Sequence, residues 1–142
     1  MEIENYYGAH GDNIEKYQKY EEQLANIDNI KKVENVAFLE YIIEDSENSL
    51  SKGNLKFYFQ IREDMGYYLL TDNGDNFSNH EFDDEDKSAI STYLEGSSVG
   101  INFEDNLNLV YLELGELNED INISFVTKKY IDALTYINDI IE

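Results

Sequence analysis

The chain has no cysteine, no proline and no tryptophan, and it holds only three glutamines and a single arginine, Arg62. Without cysteine there are no disulfides, no thiolate metal ligands and no cysteine nucleophile. One arginine beside nine lysines is a thin supply for clamping phosphates or lining a nucleic-acid groove. No stretch approaches the roughly 18 consecutive apolar residues of a membrane span. The first residues, MEIENYYGAHGDN, are acidic and polar, whereas a signal peptide is basic and then apolar. These absences lead to the expectation of a cytoplasmic protein of a bacterial cell or its phage-infected host.

What is present is a core and a great deal of negative charge. Of 142 residues, 42 % are hydrophobic, including twelve Tyr and seven Phe, too much sticky surface for an acidic tail without a fold. The length suits one domain, 1–142. Against 31 Asp and Glu stand 10 Lys and Arg, a formal net charge of −21. Sixteen Asn and fifteen Ile beside three Gln suggest an AT-rich genome, which supplies Lys freely, so the shortage of cations reads as selected. Residues 65–127 carry fourteen acids and only Lys87, while residues 1–64 carry fourteen acids and seven bases. The last fifteen residues set three acids against Lys128 and Lys129. The field should be strongest in the middle of the chain.

Periodicity predicts an α+β domain in the order ααββαββα. Ile14, Tyr17, Leu24 and Ile27 form a helical stripe over about 13–30, and VENVAFLEYIIED reads as a second, buried helix. LKFYFQIR alternates, Met65–Gly66 can turn, and YYLLTD returns, so 54–72 is a β-hairpin. DNGDNFSN is a second turn in which Gly74 is free to take positive φ. DDEDKSAISTYLEG is a short helix with acids in its first turn and Gly96 to close it. VGINFEDNLNLVYLEL makes another hairpin across Asp105–Asn106. Ile121, Phe125, Tyr130, Leu134, Ile137 and Ile141 mark a long terminal helix from about 118.

The run FYFQIREDMGYYLLTDNGDNF, the acidic helix, the second hairpin and the closing YIDALTYINDII resemble the bacterial and phage domain of unknown function 1828, over about residues 54–141. The resemblance implies a strand, a glycine turn and a C-terminal helix. It implies no settled activity, and it points to carriage on mobile elements. Carried over residue by residue, it makes Thr71, Asp72, Asn73 and Gly74 a structural turn.

Catalytic and metal chemistry finds little purchase. An EF-hand loop needs Gly at position six, but counting from Asp72 the Gly falls at position three, and counting from Asp75 there is none. DDED at 83–86 could hold Ca²⁺ or Mg²⁺ weakly, yet carboxylates at a helix start are also what the dipole favours. His10 and His80 have no second His nearby for zinc. With 31 acids, some carboxylate pair is unavoidable and carries no information about glycoside hydrolysis. No G-x-S-x-G elbow and no P-loop occurs. The expectation is a non-enzyme with no cofactor and no metal. Direct contact with nucleic acid or an anionic membrane is opposed by charge.

Inverting that last argument yields the leading expectation. A surface that resembles a polyanion is drawn to the cationic channels that normally hold DNA or RNA, which carry one charge per roughly 1.7 Å of duplex. The expected function is a small acidic inhibitor, encoded by a phage or mobile element. It would bind a basic nuclease or nucleic-acid-handling protein as a nucleic-acid mimic, in the manner of anti-CRISPR or anti-restriction proteins. The expected contact residues are Asp72, Asp75, Glu81, Asp83, Asp84, Glu85, Asp86, Glu104, Asp105, Glu113, Glu116, Glu119 and Asp120. Tyr67, Tyr68, Phe77 and Phe82 are the aromatic anchors it would use, or else core. An immunity protein that neutralises a nuclease toxin asks for the same acidic face. The contrasting reading is a self-associating structural protein with a solubilising acidic surface, a homodimer through its aromatic strands or terminal helix. A weak divalent-ion binder is a further alternative.

Overall fold

Alternation decides the centre of the fold: Leu55, Phe57 and Phe59 are fully buried on one face, while on the other Lys56 and Gln60 are partly exposed and Tyr58 is buried. A computed structural model describes residues 14–33, 40–50, 52–62, 67–116 and 122–141. The elements are α1 (Ile14–Leu24), β1 (Ile30–Val33), β2 (Glu40–Asn48), β3 (Gly53–Arg62), β4 (Tyr67–Thr71), α2 (Asp84–Leu94), β5 (Val99–Asn102), β6 (Leu109–Glu116) and α3 (Ile123–Ile141). The strands form one antiparallel sheet in the order β1-β2-β3-β4-β6-β5. This is a single α+β domain.

The three helices pack on one face of the sheet and touch one another through α3. The apolar side chains on that face follow the registers Tyr41↔Phe57, Phe59↔Leu70 and Leu70↔Leu112. Aromatic rings fill it: Tyr41 stacks on Phe57 at 5.4 Å, Phe57 meets Tyr130 of α3 edge-on at 5.7 Å, and Tyr20 of α1 meets Tyr68 at 5.2 Å. Such pairs contribute about 0.5–1.5 kcal/mol each beyond their buried area. Several polar groups that enter the core are bonded, although the buried Tyr41 and Thr127 hydroxyls have no hydrogen-bond partner among the described residues. The Tyr130 hydroxyl donates to the Val110 carbonyl (2.7 Å), and Asn138 of α3 accepts from the Asn48 amide (2.9 Å) and donates to the Glu47 carbonyl (2.7 Å).

The first hairpin, the Gly74 turn, the short acidic helix and the second hairpin lie where their patterns placed them, and Gly74 and Gly96 both take positive φ (81° and 78°). Three expectations change. The second helix is replaced, in its described part, by the end of strand β1 at Val33 and by strand β2; Val36, Phe38 and Leu39 lie outside the described residues. Tyr41 and Ile43 face the helices while Ile42 lies on the other face, so the apolar run reads as continuous although its period is two. The first helix ends at Leu24 rather than near 30, because Ile30 turns out to begin β1 and pairs with Ile43. In α3, Ile121 lies outside the described residues and Phe125 is 58 % exposed; the buried stripe runs instead through Ile123, Thr127, Tyr130, Leu134 and Ile137. The Met65–Gly66 turn also lies outside the described residues.

The abundant asparagine has a structural use. Of nine non-glycine residues with positive φ among the described residues, seven are Asn or Asp: Asn29, Asp45, Asn73, Asn79, Asp105, Asn106 and Asn108. These side chains tolerate the left-handed region because they bond locally to backbone. The loops at one end of the sheet are built from them.

Candidate functional site

Strand β4 stops at Thr71, and the turn that follows fills the gap it leaves between β3 and β6. The Thr71 hydroxyl accepts from the Asn73 amide (3.0 Å). Asp72 is fully buried, and its Oδ1 accepts from the amides of Gly74 (2.9 Å) and Val110 (3.0 Å). Asn76 then does for β3 what a neighbouring strand would do. It accepts from the Lys56 amide (3.0 Å), donates to the Lys56 carbonyl (2.8 Å) and also donates to Asp72 (3.3 Å). Thr71, Asp72, Asn73 and Gly74 therefore form a structural turn. Burial pushes the Asp72 carboxyl up to about 7, against the opposing pull of its three donors. Asp72 has no surface with which to meet a partner, and its place among the contact residues is corrected accordingly.

Beyond the turn, three segments are tied into one acidic end. The Asn79 amide donates to the Asn106 carbonyl (2.8 Å), and the buried Asn108 amide donates to the carbonyls of Phe77 (2.8 Å) and His80 (2.7 Å). The Phe82 ring meets Phe103 at 5.8 Å and His80 at 4.6 Å. These contacts hold the 72–82 turn, the start of α2 and the 102–108 loop together. They bring Asp75, Glu81, Asp83, Asp84, Glu85, Asp86, Glu104 and Asp105 to one end of the sheet, all exposed except the half-buried Asp86. A shallow cleft of about 460 Å³ between Ser78–Asn79 and the 102–107 loop runs through it. Lys87 is the cation in this region of the chain, and its ammonium is drawn over the Phe103 ring, 5.6 Å from the centroid.

Some of these acids have work within the fold. Asp83 caps α2 by accepting from the Asp86 amide (2.8 Å), and Asp84, Glu85 and Asp86 lie in the first turn, where the helix dipole favours them. Asp75 accepts from the Tyr58 hydroxyl, and burial together with this bond pushes the phenol well above its ordinary range. Glu81, Glu104 and Asp105 are exposed at the rim. Glu113 is exposed but sits four residues along β6 from Leu109, about 13 Å away by strand rise, on the sheet face away from the helices. Glu116 ends β6 opposite Tyr67, and Glu119 and Asp120 lie outside the described residues. Of the expected anchors, Tyr68, Phe77 and Phe82 are core, which leaves them no surface to offer.

A second acidic concavity escaped the sequence. Glu44, Asp45 and Glu47 of β2 face Asp132 and Asp139 of α3 across a cleft of about 510 Å³ with Ile43, Leu55 and Ile131 in its lining. Roughly ninety residues separate its two walls, and the bonds of Asn138 with Asn48 and with the Glu47 carbonyl show that they meet. Among the described residues, no group of three or more His, Cys, Asp or Glu is placed to hold a metal ion. None of the described helices is long and apolar enough to cross a membrane.

No family model, curated protein or solved structure matches this chain. The reading of function therefore rests on the acidic end and its chemistry.

Proposed function

We propose that the protein is a small acidic inhibitor that binds a basic nuclease or nucleic-acid-handling protein in place of nucleic acid. The observation that carries the reading is the gathering of eight carboxylates on two loops and a helix start, with one lysine turned onto a ring. Side chains three or four apart on a helix lie about 5–6 Å from each other, close to the spacing of phosphates along a strand. A face of this sign steers a cationic groove toward it and speeds encounter, with an effect that weakens as salt rises. The origin on a phage or mobile element, and the anti-CRISPR or anti-restriction type, rest on the sequence resemblance and the charge together.

The test is binding and competition. Cationic nucleic-acid-binding proteins retained by the immobilised chain from a bacterial lysate should elute as NaCl is raised. Once purified, such a protein should lose duplex DNA to the free chain. A Glu81→Lys, Asp84→Lys, Glu85→Lys variant should lose that competition by at least about 100-fold, as expected when several steering charges are reversed. Equal competition by this variant, or a target held through apolar surface with no salt dependence, would refute the proposal.

A further inference from the structure

Helix α3 presents two faces of different character. One is the buried stripe already described; on the opposite side Phe125, Lys129, Asp132 and Tyr136 recur at steps of four, three and four. Those are the steps of a helix-pairing seam. Phe125 is 58 % exposed, more than any other large apolar side chain among the described residues, and Lys129 lies over its ring at 4.7 Å. Tyr136 is stacked on Tyr93 of α2 with ring centroids 3.9 Å apart and planes within 3°, and Tyr93 is itself 43 % exposed. The exposed Phe125 and Tyr93 rings, with the half-buried Tyr136 stacked on Tyr93, thus mark one ridge on a chain whose surface is otherwise dominated by carboxylates.

We propose that a second copy of this chain packs on that ridge, its α3 antiparallel to the first, across a two-fold axis level with the peptide between Tyr130 and Ile131. In this register Phe125 of one copy meets Tyr136 of the other, and Lys129 meets Asp132. Each contact occurs twice, as an isologous interface demands. Parallel pairing fails, since it sets Lys129 against Lys129 and Asp132 against Asp132.

The charge distribution argues for the same occupant. Two copies each at −21 repel, and the repulsion is worst where fourteen acids face one lysine, over residues 65–127. The stretch 128–142 holds three acids with Lys128 and Lys129, and although Asp132 also lines the acidic cleft shared with β2, the ridge itself balances Lys129 against Asp132, so two copies meet there without a net like charge. Direction matters too. The acidic turn, tied to Lys56 through Asn76, and the C-terminal half of α3, tied to Asn48 through Asn138, share one end of the sheet. Antiparallel packing sends the two acidic ends apart. The dimer does not depend on the inhibitor reading: either can fail while the other stands.

Sedimentation equilibrium of the full chain over a concentration series, at low and at high NaCl, is the test. The expected result is a dimer that tightens with salt, because screening relieves the net repulsion more than it weakens two ion pairs. Phe125→Asp should raise the dissociation constant on the order of 100-fold, since an anchor ring is lost twice, with an unchanged circular dichroism spectrum. Lys129→Asp and Asp132→Lys should each weaken the dimer, and the two together should restore it. A monomer under every condition, a dimer indifferent to Phe125→Asp, or a charge swap that does not restore association would each overturn the proposal and give the ridge to a different partner.

Discussion

At Asp72 a carboxylate is shut away from water with three donors aimed at it, and its ordinary value near 3.8 moves up to about 7. The donors favour the ionised form and burial disfavours it, and burial wins. The folded chain therefore holds this proton more tightly than the unfolded chain does. The stabilisation that follows is fully present below about pH 4 and is lost as pH rises through 7. Loss of repulsion among the other acids acts in the same direction, so the control is Asp72→Asn. Urea midpoints of the wild type should fall more steeply between pH 5 and pH 8 than those of the variant. Equal slopes would show that the buried carboxyl is already ionised at the acid end of that range. Asp72→Ala removes the acceptor from the Gly74 and Val110 amides, and each orphaned donor costs about 1–3 kcal/mol. The TDNG turn signal was visible in the sequence at 71–74; that its carboxylate is a structural prop was not, because the Val110 amide arrives from thirty-eight residues away.

At the scale of elements, what could be read early was what local physics dictates. The β3–β4 hairpin shows in alternation, and α2 shows in its acidic first turn and the glycine after it, while the structure adds its Asp83 cap. Asp83→Ala should lower stability by about 1 kcal/mol through the lost cap, measured by denaturant unfolding. A far larger loss would mean that Asp83 supports more than the helix start. Strand β2 was unreadable for the opposite reason. Its apolar residues fall on both faces, and a bulge between Ile42 and Glu47 breaks its period, so only pairing with β1 and β3 makes it a strand. The helical stripe of α3 was legible as a period but not as a phase, since Phe125 and Ile123 are both apolar and only packing distinguishes them.

For the whole molecule, charge is the governing quantity. A net of −21 on one domain destabilises the compact state, and the effect is screened over about 10 Å at 0.1 M ionic strength. The thermal midpoint should therefore rise by several degrees when NaCl is raised from low to physiological levels. A midpoint that stays level would show that the acids are spaced widely enough not to strain the fold. Among the described residues, most exposed acids divide between the loop end of the sheet, the cleft between β2 and α3, and the outer part of β6, with Glu22, Asp28 and Glu95 elsewhere. Thirteen acids chosen by their place in the chain did not become thirteen neighbours.

Composition, hairpins, turns and the acidic helix start were determined by the sequence alone, since each depends on residues within about ten positions of one another. The absence of thiols and the excess of carboxylates need no geometry at all. Which acids are buried, which stand together and which aromatic rings meet solvent was decided by strand register and helix docking. Those depend on contacts such as Asp72 with Val110 and Asn48 with Asn138, whose partners are far apart along the chain and become neighbours only when the sheet closes on α3.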